Sequence, residues 1–69
     1  MTAAIGQIWL YEEPDDGSWY LQRVVALIRG NYMQRGLITV QFIASSDSSV
    51  IGTSLPGYLE RELGTLLSE

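Results

Sequence analysis

Short runs in which apolar and other residues alternate, each closed by a cluster of turn-forming residues, leave this chain few options besides antiparallel β-structure. The clearest run is Leu37–Ile43, LITVQFI, with Ile38, Val40 and Phe42 on one face and Thr39 and Gln41 on the other. Phe42 and Val40 are accordingly expected in the core. An earlier run ends at Tyr11, with Ile8 and Leu10 opposite Gln7, Trp9 and Tyr11. Glu12–Ser18 then supplies Pro14, two aspartates and Gly17, each a turn former for its own reason: fixed φ, side-chain bonding to a nearby amide, tolerance of positive φ. A hairpin is predicted there.

The next run, from Trp19 to Ile28, is apolar on both sides. Trp19, Leu21, Arg23, Val25 and Leu27 share one face, and Tyr20, Gln22, Val24, Ala26 and Ile28 the other. Leu21, Val24, Val25 and Ile28 also fit a helical period. Strand is preferred, because a turn precedes the run and β-branched residues fill its middle. The stretch at 30–36, GNYMQRG, reads as a loop, and ASSDSS turns the chain again. VIGTS, from Val50 to Ser54, reads as a short fourth strand weakened by Gly52. In the tail, Leu59, Leu63, Leu66 and Leu67 make one apolar helical stripe that Gly64 interrupts. A short helical turn over Tyr58–Leu63 is predicted, followed by a last short strand or frayed helix at Thr65–Ser68.

Sixty-nine residues make a single domain, 1–69, near the lower size limit for a self-sufficient core. Without cysteine, neither a disulfide nor a thiolate metal site can assist. Four or five short antiparallel strands on so small a chain predict a closed or nearly closed barrel, which removes exposed edges. The fold class is therefore all-β, an SH3-like barrel ending in a short helical turn.

The composition also limits function. Four arginines stand against eight acids, with no lysine or histidine and a net charge of −4, so a phosphate-binding surface is not expected. Lacking His, Cys and Lys, the chain lacks the usual general base, thiolate and Schiff-base amine. Glu12 and Glu13 point to opposite faces of a strand and would not flank one substrate bond. No enzyme and no cofactor are expected. The acids of EEPDDG lack EF-hand spacing, so no metal is expected either. MTAAIGQIWLY has no basic start or sustained apolar run, and no segment nears the roughly 20 apolar residues that span a bilayer. A cytoplasmic protein with no membrane contact is the expectation.

Gly6, Tyr11, the DDG of Asp15–Gly17, Tyr20, ITVQF and LPGYLE together resemble a Tudor-type small barrel over roughly residues 6 to 60. The resemblance implies an aromatic cage, with Tyr11, Tyr20 and Phe42 as walls holding a methylated lysine or arginine by cation–π attraction. The chain departs from the family at ASSDSS, where a second aromatic and Gly-Asn often follow the third strand.

Read from the residues alone, Trp9 and Tyr11 lie opposite Ile8 and Leu10. An aliphatic core face leaves the aromatic one exposed beside acids, as on protein-recognition surfaces. The candidate binding residues are Trp9, Tyr11, Glu12, Glu13, Asp15, Asp16 and Tyr20. They suit a basic partner segment bound by a non-enzymatic interaction module or accessory subunit. The alternative is a small acidic phage or mobile-element protein that inhibits a nucleic-acid-binding host factor. The tail leucines offer a route to a homo-oligomer, or else cap the chain's own barrel.

Overall fold

The computed structural model describes residues 3–30, 32, 33 and 36–69. Asn31, Gln34 and Arg35 of the predicted loop lie outside them. Five strands account for about half of these residues: β1 (Ile8–Glu12), β2 (Trp19–Ile28), β3 (Leu37–Ser45), β4 (Ser54–Tyr58) and β5 (Thr65–Ser68). They form one antiparallel sheet in the order β4-β3-β2-β1-β5. The first hairpin closes where predicted, with the Glu13 amide donating to the Ser18 carbonyl at 2.7 Å and the Gly17 amide to the Glu13 carbonyl at 3.0 Å. Short 3-10 turns occupy Ser48–Val50 and Glu60–Glu62, the second within the predicted helical turn. Thr65–Ser68 is strand, not frayed helix. Among the described residues no helix is long and apolar enough to cross a membrane.

The sheet does not close into a barrel. β4 pairs with β3 and β5 with β1, and the far sides of both remain edges. The fourth strand also lies later than expected: Val50–Gly52 turns, and pairing is carried by SLPGY, Ser54–Tyr58. β4 takes one more residue than β3 to pass from the Val40–Leu55 pair to the Ile38–Tyr58 pair. That bulge falls at Pro56 and Gly57, the latter at φ 88°. Proline has no amide to donate and belongs on an edge or at a bulge, so this strand stops the sheet from growing.

Two further bulges, at Val25 on β2 and Ile43 on β3, bend the central hairpin. The inner face carries the core: Trp9, Val24, Ile38, Val40, Phe42 and Leu63 are buried, with Tyr20, Tyr58 and Leu66 packed on them. Val40 and Phe42 are thus core as expected, and Thr39 and Gln41 are not. Among the described residues, buried polar side-chain atoms all have hydrogen-bond partners. The Gln22 amide donates to the Leu63 carbonyl at 3.0 Å, and the Gln7 Oε1 accepts from Trp9 Nε1 at 3.2 Å and the Ala4 amide at 2.8 Å. Leu63 is fully buried and Leu66 partly so, whereas Leu67 is exposed. The tail stripe therefore mainly seals the chain's own core.

Candidate functional site

β1 reverses the expected roles of its two faces. Trp9 is 5% exposed and sits in the core, while Ile8 and Leu10 on the opposite face are only half-buried. Trp9 is therefore not part of an exposed aromatic surface. Its register partner is the buried Gln22, so an indole that fills the sheet's inner side faces an amide anchored to the C-terminal turn. Aliphatic alternation alone could not distinguish the sides, because the larger ring closes more of a small core.

Two positions on, the same inner face reaches solvent. Tyr11 pairs with Tyr20 across β1 and β2, their rings 6.5 Å apart and 28° from parallel. Phe42 lies 5.7 Å from Tyr20, tilted by 56°. Phe42 is buried, so it forms a floor under Tyr20 and not a third exposed wall. Tyr58 at the end of β4 supplies the further aromatic. With Tyr11, Arg61 and Glu62 it lines an open cleft of about 440 Å³.

Carboxylates converge on this cleft. The Tyr11 hydroxyl donates to Glu13 Oε2 at 3.2 Å. The Glu13 charge, that hydrogen bond, some desolvation and the charges of Asp15 and Glu62 together raise the Tyr11 pKa above the usual tyrosine value. Burial first, then Glu62 and the neighbouring Tyr20 and Tyr11, raise that of Tyr58. Glu62 is held in place because its Oε1 accepts from the Leu59 amide at 2.8 Å. A negative field over neutral phenol rings suits a cation, through charge and ring quadrupole alike.

Glu13→Gln should lower the Tyr11 pKa toward the ordinary tyrosine range, because the carboxylate that opposes phenolate formation is gone. Ultraviolet titration of the phenols against wild type measures this directly; an unchanged curve would separate Glu13 from Tyr11. The raised pKa has a sign for folding as well. Folding favours the protonated phenols, so their contribution to stability holds below the ordinary tyrosine pKa and fades as pH rises through the shifted range.

The remaining sequence candidates divide. Tyr11 lines the cleft with Glu13 bonded to its hydroxyl and Tyr20 stacked on its ring, and Asp15 is an exposed residue of the adjoining turn, whereas Glu12 alternates to the other side of β1 and pairs with Trp19. Asp16 is a turn residue: its Oδ1 accepts from the Ser18 amide at 2.8 Å, which holds its carboxyl below the usual aspartate range. Among the described residues no cluster of three or more Asp and Glu side chains is arranged to hold a metal ion. Sequence reasoning missed Tyr58, Arg61 and Glu62. The available signal was the closeness of Tyr58 and Glu62 in YLERE, where the chain turns over Glu60–Glu62 directly after β4 ends at Tyr58. No family model, curated protein or solved structure matches this chain.

Proposed function

We propose that the protein is a non-enzymatic interaction module of the cytoplasm that receives a basic segment of a protein partner in the cleft between Tyr11 and Tyr58. The observation that carries this reading is the stacked Tyr11–Tyr20 pair at a cleft that Glu62 lines, with Glu13 hydrogen-bonded to the Tyr11 hydroxyl. An arginine or lysine of the partner stacks on Tyr11 or Tyr58 and meets the carboxylates, which also steer its approach. The fold part of the proposal is an open relative of the SH3-like or Tudor-like barrels. Its support is the meander β1 to β4, with β5 returning beside β1 after a short helical turn.

The test is titration of the isotopically labelled protein with short peptides carrying arginine, lysine or their methylated forms, followed by NMR. Shifts should gather at Tyr11, Tyr20, Tyr58 and Glu62. Tyr58→Ala or Glu62→Gln should weaken binding by about 1–2 kcal/mol, the scale of an interface hot spot. Arg61→Gln should strengthen it, since Arg61 is the one cationic side chain lining the cleft among the described residues. Binding that ignores these substitutions, or no binding by any of the peptides, would overturn the assignment.

A further inference from the structure

The sheet has a second apolar face. Register and alternation place Ile8, Leu10, Trp19, Leu21, Ile28 and Leu37 on the side away from the core. Trp19 is 39% exposed and Ile28 54%, and the other four are half-buried or nearly so. An antiparallel sheet packed on one side usually turns polar residues to water on the other. Here, among the described residues of β1, β2 and β3, that outer face carries only two charged side chains, Glu12 and Arg23. They are opposite in sign, so the face is neutral on a chain of net charge −4.

We propose that this face packs on the same face of a second copy, giving a two-fold sandwich with the strands of the two sheets antiparallel. Three observations select a second copy as the occupant. The first is charge placement. Glu12 stands opposite Trp19 and Arg23 lies four residues further along β2, so the level midway between them is the row Leu10–Leu21–Ala44. A two-fold axis across that row brings Glu12 of each copy to the level of Arg23 of the other. It also sets the leucines against their own counterparts, the self-complementary pattern of an isologous interface.

The second is the charge along the molecule. Residues 17–46 contain Arg23, Arg29 and Arg35, the last counted from the sequence alone, and no acid; the other thirty-nine residues contain eight acids and one arginine. β2 runs from the acidic Glu12–Asp16 hairpin toward Arg29, which shares a cavity wall with Glu60. The same axis carries the β2 end that leads to Arg29 past Glu12 of the second copy, on the side of its acidic turn.

The third is area. The broadest outline of the molecule, 36 × 23 Å, caps a flat contact at roughly 830 Å², so a standard interface of ~800 Å² per partner would use nearly the whole face. Aligned sheets pack about 10 Å apart, which lets the leucines interdigitate. The proposal does not depend on the tyrosine cleft, which opens on the inner side.

Sedimentation velocity over the micromolar range tests the proposal on the whole chain. Wild type should form dimers. Glu12→Arg alone or Arg23→Glu alone should weaken association about tenfold or more, because each places like charges opposite one another twice. Both residues are exposed, so folding should survive, and circular dichroism checks that it does. Mixing the two single variants should restore dimers. In the mixed pair the arginine introduced at position 12 of one chain meets the glutamate introduced at position 23 of the other. The unchanged Arg23 of the first chain likewise meets the unchanged Glu12 of the second. A wild type that stays monomeric throughout, a dimer indifferent to either substitution, or a mixture that does not re-form dimers would each overturn the proposal. The peptide titration of the cleft reads a different surface, so failure of one leaves the other standing.

Discussion

Trp9→Ala should remove a large part of the protein's stability. The indole is almost wholly buried, at the meeting point of β1, β2 and β5, where Trp9 pairs with Gln22 on one side and Leu66 on the other. Truncating a buried tryptophan costs about 3–5 kcal/mol. A domain of this size has only about 3–10 kcal/mol of stability to lose, taking typical per-residue values. Among the described residues, the core's six other buried apolar side chains leave few neighbours to collapse into the space. The loss is not purely one of volume. Trp9 Nε1 also donates to Gln7 Oε1, but the Ala4 amide bonds the same oxygen, so Gln7 keeps a partner. Trp9→Phe, which keeps most of the ring and removes only the N–H, should therefore cost much less, about 1 kcal/mol for the hydrogen bond plus a smaller packing loss. Chemical denaturation of the two variants separates these contributions. A Trp9→Ala protein that unfolds like wild type would return Trp9 to the surface and undo the assignment of the inner face.

What could be read in the sequence was whatever depends on local pattern. Period two located β1, β2 and β3, and Pro14, Asp16 and Gly17 located the first hairpin, because both signals arise within a few neighbouring residues. The fourth strand was displaced because Pro56 and Gly57 read as a break, when in fact they make a bulge in an edge that only β3 supports. The inner and outer faces of β1 were exchanged for a different reason. Alternation fixes which side chains share a face but not which face another element covers. The covering elements here are distant in sequence: Leu63, and through it Gln22, decide where Trp9 lies. Closure failed as a prediction because it needs β4 and β5 to meet, and no local signal reports on two strands seven residues apart that pair with opposite ends of the sheet. The cleft was half legible. Tyr11 and Tyr20 flank one turn and were found together; Tyr58 and Glu62 join them only through the fold.

Gly64→Ala should be as damaging as the loss of a core side chain, although it adds only a methyl group. Gly64 has φ 91°, a conformation that L side chains rarely adopt. A Cβ there would lie 2.2 Å from the Leu10 carbonyl oxygen and 2.9 Å from both the Leu10 carbonyl carbon and the Tyr11 Cα. All three are backbone atoms of β1, so no side chain can rotate aside to make room. Relief requires Gly64 to retreat from β1, yet it sits between two anchors. Leu63 is fully buried and its carbonyl accepts from Gln22, while Thr65 and Leu66 pair with Leu10 and Trp9. The unfavourable φ costs about 1–2 kcal/mol, and forcing atoms into filled space adds about 1–3 kcal/mol or more. Gly17→Ala is the internal control, because Gly17 has φ 76° with nothing within 4 Å of a Cβ. It should show the conformational cost alone. Denaturation midpoints for the pair isolate the clash: Gly64→Ala should lie well below Gly17→Ala, with amide exchange lost first along β5. Equal midpoints would mean that the chain after Leu63 does not lie against β1, and the position of β5 beside Trp9 and Leu10 would have to be given up.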